Sequence, residues 1–206
     1  MIDIFDHKIL ELSRLVCHSG GAIGSDSYFE TLGQVHGVKT RAYSYKTPGH
    51  LSLNKVEISE TDYKEGVQQI HKANKLLRRW GIEKYMNLLA RNWAQVKYSG
   101  EVFAIGTIID AGKKGPKGYY NKSEFQVVDG GTGYACMCAI NNIRSLYVFD
   151  QNKDKWFRWS YTSLKFIEVK EDLKINFENF AGIGTREIKP NGIKAIEDLY
   201  KRTFNL

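Results

Sequence analysis

The sequence predicts an α/β protein with a mostly parallel sheet, helices on both faces and glycine-rich loops at the carboxyl ends of its strands. Three observations predict it. Apolar runs of strand length break into glycines and resume at helical spacing near residues 19–26, again near residues 129–134 and again near residues 182–187. Units of this kind build parallel sheets, and in open α/β sheets their turns gather at one edge, where ligands bind. With 206 residues, 42% of them hydrophobic, the chain can bury a full core in one domain, residues 1–206, with residues 51–96 readable as a helical insertion.

Residues 2–14 carry Ile4, Leu10 and Leu12 in a short pattern compatible with an amphipathic helix leading into the first strand. The apolar run Leu15-Val16-Cys17 then enters the first corner, Ser19-Gly20-Gly21-Ala22-Ile23-Gly24-Ser25-Asp26. Gly20, Gly21 and Gly24 permit positive φ and carry no Cβ, so a ligand can approach the backbone. Ser25 or Asp26 can cap the following helix, whose unpaired N–H groups and positive end favour an anion, most simply a phosphate. A carboxylate there competes with a phosphate, so Asp26 is expected to face a ribose hydroxyl. Taken alone, such a turn is also an ordinary tight corner.

Residues 27–35 read as a helix and residues 37–45 as a second strand. Lys46 and His50 follow in a loop on the ligand side of this unit, where they can meet an anion or a base; a plain surface turn fits the same residues. Residues 59–77 and 84–96 read as two helices. On the second, Arg91 and Gln95 share a face at i and i+4 with Asn92 beside them, a guanidinium and two amides suited to a phosphate and a base edge, or to a solvated helix face.

Residues 101–109 form a strongly apolar strand with Gly106 as a point of close approach. Residues 110–123, basic, glycine-rich and aromatic, read as a loop that can order over a ligand or as a hairpin without a ligand role. The second corner, Gly130-Gly131-Thr132-Gly133, opens a small-residue helix, and residues 145–150 form another strand ending in Asp150, about 20 residues after the glycines, where a ribose-binding acid falls in nucleotide folds. The aromatic run at residues 156–161 reads as packing that seals the sheet edge. The third corner, Gly182-Ile183-Gly184-Thr185-Arg186-Glu187, leads into a closing helix over residues 193–204.

The formal charge of +7 and pI near 9.2 favour anionic partners, nucleotides or nucleic acid first among them; because the charge is spread rather than clustered, a solvated basic surface is expected ahead of a nucleic-acid track, with a DNA-processing-like partner of single-stranded DNA as a third option that the charge permits. Cys17, Cys136 and Cys138 sit in apolar context and read as buried reduced thiols; their spacing is not that of a zinc site, and no metal or cofactor is expected. No leader pattern is seen, and no apolar run approaches the roughly 18 residues that span a bilayer. No membrane association and a cytoplasmic location are expected.

Ser19-Gly20-Gly21-Ala22-Ile23-Gly24-Ser25-Asp26 resembles the SGGAxGAD-type loop of the SLOG superfamily, and Ala181-Gly182-Ile183-Gly184-Thr185-Arg186-Glu187 resembles its GIGSRE-type loop. Arg91-Asn92-Trp93-Ala94-Gln95-Val96 and the stretch from Val128 to Ala135 look like further elements of phage and bacterial members. That group holds lonely-guy phosphoribohydrolases and DNA-processing A proteins, and the resemblance implies a Rossmann-like fold and a homo-oligomer. Two departures stand out. The GIGSRE-like strand comes last, as in a circular permutation, which a sheet survives where its termini lie close. The hydrolases carry a glutamate shortly after PGGxGT, whereas Gly130-Gly131-Thr132-Gly133 is followed by Tyr134-Ala135-Cys136-Met137.

The resulting expectation is a protein that binds a nucleotide-derived small molecule, ADP-ribose-like or a cyclic nucleotide signal, without cleaving it. Gly20 to Gly24 and Gly130 to Gly133 would cradle phosphates, Arg91 and Arg186 would neutralise them, and Asp26, Asp150 or Glu187 would take ribose hydroxyls. Likeness to small phage proteins extends this to sequestering an immune nucleotide in the host cytoplasm. The alternative is a nucleoside-monophosphate phosphoribohydrolase or N-glycosidase, with Glu187 or Asp26 at the reacting carbon.

Overall fold

The computed structural model describes residues 14–47 and 50–204; the helix expected within residues 2–14 falls almost wholly outside them. In chain order the elements are β1 (Val16–Ser19), α1 (Ser25–Val35), β2 (Lys39–Ser44), β3 (Lys55–Glu57), α2 (Glu60–Leu77), a 3-10 turn (Glu83–Tyr85) and α3 (Met86–Lys97). There follow β4 (Glu101–Gly106), β5 (Ile108–Ile109), β6 (Val127–Val128), α4 (Thr132–Asn141), β7 (Ser145–Asp150), β8 (Lys155–Ser160), β9 (Lys165–Glu168), β10 (Asn179–Gly184) and α5 (Pro190–Phe204).

Eight strands form one sheet in the order β3-β2-β1-β10-β4-β7-β8-β9. The pairings from β3 through β7 are parallel, and β8 and β9 join antiparallel at one end. The fold is thus α/β with a mostly parallel, Rossmann-like sheet. The strand closest to the carboxyl end of the chain, β10, is central, hydrogen-bonded to β1 on one side and β4 on the other.

The pleat divides the core. On β4, Val102 and Ala104 face a cluster with Ile70, Leu77, Leu89 and Trp93, so α2, α3 and α4 cover one face. Phe103 and Ile105, one residue out of step, face Phe29, Ile196, Leu199 and Tyr200, so α1 and α5 cover the other. Tyr200 donates its hydroxyl to the Phe29 carbonyl at 2.9 Å, a buried link between those two helices. Helix α2 starts where Ser59 accepts the Asp62 N–H at 3.0 Å and stops where Arg78 takes a left-handed φ of 53°.

The expected strand over residues 101–109 breaks at Thr107. The Thr107 carbonyl accepts the Asp129 N–H at 2.9 Å, and the Ile108 N–H turns to the Asp150 carboxylate at 3.1 Å. The chain therefore leaves the main sheet, and β5 pairs antiparallel with β6 in a separate two-stranded ribbon. So the second glycine corner follows a strand outside the parallel sheet, unlike the first and third. Residues 110–123 form a hydrogen-bonded hairpin in which Gly115 N–H reaches the Tyr119 carbonyl at 2.7 Å and Asn121 N–H the Lys113 carbonyl at 2.8 Å. The aromatic run at 156–161 supplies Trp156 and Trp159 as buried packing on β8.

Helix α2 lies so close to α3 that a Cβ on Gly66 would run into the Ala90 carbonyl oxygen. Gly66→Ala should gain about 1 kcal/mol of helix propensity in isolation, yet overpacking against rigid backbone costs about 1–3 kcal/mol. The expected outcome is a lower urea midpoint for the variant; an unchanged or higher midpoint would mean that the helices separate freely.

Candidate functional site

The first and third corners are joined through their backbones. Gly24 holds φ at 102°, and a Cβ there would lie 2.5 Å from the Arg186 carbonyl oxygen and 2.6 Å from that of Thr185. Beside it the Thr185 carbonyl accepts both the Ser25 N–H at 3.1 Å and the Ser25 hydroxyl at 2.8 Å. In return Gly184 donates its N–H to Asp26 Oδ1 at 3.0 Å. Asp26 therefore serves as a clamp between corners, where the sequence suggested a ribose contact. Ser19 is buried beneath, its hydroxyl 2.8 Å from Glu30 Oε1 and accepting the Gly21 N–H at 3.2 Å.

Helix α3 delivers the cation. Arg91 is 3% exposed, and its guanidinium lies directly on Gly20, where any Cβ would overlap it. Asp26 Oδ2 stands 3.7 Å from Arg91 Nη1, and the same Nη1 donates to Gln95 Oε1 at 3.3 Å. Burial pushes the Asp26 carboxyl up to about 6, against the opposing pull of Arg91 and the Gly184 N–H; burial likewise lowers Arg91 from its usual value. Arg91 Nε and Gln95 Nε2 are buried without a hydrogen-bond partner. The face seen in the sequence is thus buried rather than solvated.

The second corner reaches the same place from the two-stranded ribbon. Arg79 fixes it, donating to the carbonyls of Gly130 and, at 2.7 Å, of Val128. At the start of α4 the N–H groups of Gly133 and Tyr134 turn back on the Gly130 and Gly131 carbonyls at 3.2 and 3.0 Å, and Gly131 and Thr132 line the same cavity as residues of the other two corners. Asp129 supports the turn by accepting the Gly130 N–H at 2.7 Å and the Lys117 N–H at 3.0 Å. Gly133 packs its backbone against the Val128 carbonyl, while Gly131 has nothing within 4 Å of a Cβ and borders open space.

One cavity of about 220 Å³ is lined by Ala22 and Asp26 of the first corner, Gly131 and Thr132 of the second, and Gly184, Thr185, Arg186 and Glu187 of the third, with Arg91 and Asn92 from α3 and Lys117 from the hairpin. Lys117 bridges to the third corner through Thr185 Oγ1 at 3.1 Å. A neighbouring cavity of about 290 Å³ holds Gly106 together with Lys117, Thr185 and Glu187. The His50 ring covers Gly21, with both nitrogens buried and unpartnered, and burial lowers its pKa.

Of the expected contributors, Ser19, Gly20, Gly21, Gly24, Ser25, His50, Gln95, Gly130 and Gly133 do not line the cavity of about 220 Å³, Gly20 and Gly21 being covered by Arg91 and His50, and Lys46 and Asp150 stand elsewhere. Lys46 is exposed and pairs with Glu60 at 3.3 Å, in a recess beside Glu83 and Asn87. Asp150 is fully buried, its carboxylate accepting the N–H groups of Ile108, Asn152 and Lys153; local turn geometry uses the acid that spacing suggested for a ribose. Lys117 and Arg79 are the site residues that the sequence did not single out. Lys117 belonged to the glycine-rich basic loop, a usable signal, whereas the carbonyl partners of Arg79 lie about 50 residues away and leave no local pattern. The three cysteines are free and buried, and burial raises each thiol to about 12, so none supplies a thiolate near neutral pH.

Fold and site together define an α/β protein with a cavity, lined by Arg91, Arg186 and Lys117, at the carboxyl edge of its parallel strands. Comparison of the chain with protein-family models, with curated proteins and with solved structures finds no match. Among the described residues no helix is long and apolar enough to cross a membrane.

Asp26 gives a pH dependence with a defined sign. A carboxyl whose folded value, about 6, stands above its ordinary value of 3.8 favours folding while protonated; that contribution is full below about 4 and is lost as pH rises through 6. Between pH 4 and pH 7 the wild type should therefore lose stability, on the order of 2 kcal/mol, relative to Asp26→Asn. Urea unfolding of both proteins at the two pH values checks this, and a wild type that gains on the variant would show that the Arg91 pair outweighs burial.

Proposed function

We propose that the cavity binds the phosphates of a nucleotide-derived small molecule, of the ADP-ribose or cyclic nucleotide kind, and that the protein holds this ligand without cleaving it. The observation that supports the reading is that residues from all three glycine corners line a single cavity that Arg91, Arg186 and Lys117 also line. Bare backbone at a helix start, backed by guanidinium groups, suits phosphate in both shape and charge. The first turn of α4 carries no acid, which favours binding over hydrolysis on the resemblance to SLOG proteins drawn above. The same resemblance supports sequestering of a signalling nucleotide as the biological role, and assembly into a homo-oligomer.

Gly131 offers a clean test, because it has an ordinary φ and open space where a Cβ would stand. Gly131→Asp should fold normally, since its φ of −62° is open to any residue and an acid at a helix start is favourable, yet place a carboxylate against the phosphate. Calorimetry with ADP-ribose and with cyclic mononucleotides should give binding tighter than 100 μM for at least one of them in the wild type, and a loss of at least roughly 100-fold in the variant. Arg186→Ala, an exposed change, should weaken the same ligand about 10-fold or more. No binding by the wild type to any of them would remove the proposal, and free base accumulating with turnover would replace it with a hydrolase acting through Glu187.

A further inference from the structure

Beside the anion cavity runs a larger cleft of about 770 Å³ that shares Leu88, Leu89, Lys117, Gly131 and Arg186 with it. The two are therefore immediate neighbours, with those five residues at their boundary. Their linings differ in kind. Among the described residues, those around the anion cavity include no aromatic ring, so a base anchored there by its phosphate has nothing to stack on. The cleft carries Trp80, Tyr85, Tyr119, Tyr120 and Tyr134. Three of these rings already have cationic partners, because the Arg79 guanidinium lies 4.0 Å from the Tyr119 ring centre and 5.2 Å from that of Tyr134, and Lys84 Nζ lies 4.9 Å from that of Tyr85. Trp80, 90% exposed, and Tyr120, 50% exposed, stand open to solvent.

The cleft also has cations of its own that do not line the anion cavity. Arg78 and Lys122 line it, both exposed, and among the described residues neither is in an ion pair. Its one carboxylate, Asp129, already accepts two backbone N–H groups. Open rings and a second set of cations beside the anion cavity match a chain in which phosphates and bases alternate, since bases stack on aromatic faces and the backbone follows the positive charge.

We infer that the cleft is the second half of the binding site and that the ligand is a dinucleotide, with one phosphate at the glycine corners, a base on Trp80 and the second phosphate between Arg78 and Lys122. This rests on the nucleotide-binding reading above and narrows it. A mononucleotide fills only the corner half. A long single strand is disfavoured because the anchoring half ends in a cavity closed by Asp26, Arg91 and the backbone of three corners.

The test measures binding of AMP, of 5′-phosphorylated linear diadenylate and cyclic diadenylate, and of a 20-nucleotide oligothymidylate to the full chain, to Trp80→Ala and to Arg78→Gln/Lys122→Gln. All three substituted positions are exposed, so folding is not at stake. At least one dinucleotide should bind about 100-fold tighter than AMP. Either variant should weaken that dinucleotide about 10-fold and leave AMP unchanged. Trp80 is the exposed one of four tryptophans, Trp93, Trp156 and Trp159 being buried, so stacking should also quench its fluorescence. Equal binding of AMP and both dinucleotides, with the corner variant Gly131→Asp abolishing both, overturns the dinucleotide and leaves the nucleotide site. Dinucleotide binding indifferent to Trp80→Ala overturns the role of the cleft. Preference for the oligothymidylate would replace the dinucleotide with single-stranded nucleic acid, and binding of none of the four would sink this inference together with the site on which it rests.

Discussion

The interlock between the first and third glycine corners is the constraint on which the rest of the site depends. Gly24 meets the carbonyls of Thr185 and Arg186, Ser25 grips Thr185 with both backbone and hydroxyl, and Asp26 takes the Gly184 N–H. These contacts exist only because β10, far away in sequence, lies next to β1 in the sheet. A side chain at Gly24 would strain the backbone and overlap it at once, so here the absence of a Cβ is a packing requirement as well as an opening for a ligand.

The same interlock sets the electrostatics. Asp26, held by Gly184, cannot withdraw from Arg91, and Arg91, pressed onto Gly20, cannot reach water. Each charged group is thus buried against an imperfect partner, and an ion pair of this kind is costly to desolvate. An anion entering the cavity would offer Arg91 a better partner than Asp26 provides. Arg91, which lines the cavity, has its Nε buried without a partner.

Much of the fold was legible, for reasons that can be named. Strands β1, β4, β7 and β10 are apolar runs because both of their faces are covered, and such runs survive in the sequence as continuous signals. Glycine corners are local, so their existence could be read; that Arg91 and Gln95 share a helix face follows from helical spacing alone. What could not be read depends on partners distant in sequence. Val127–Val128 looks like any buried strand, and only the Asp129 to Thr107 hydrogen bond removes it from the main sheet. Asp150 has the spacing of a ribose acid, but the tight turn after β7 claims its oxygens first. Arg79 sits in a basic stretch resembling ordinary surface, and only the folded chain brings the carbonyls of Val128 and Gly130 to it.

The central claim is that three corners act as one receptor for an anion. The most direct measurement is a backbone amide NMR titration with ADP-ribose that follows the N–H signals of Ala22, Thr132 and Arg186, one from each corner. The account predicts that all three shift and saturate together at a single ligand concentration. Movement of one corner alone, with the other two unaffected at saturation, would contradict it.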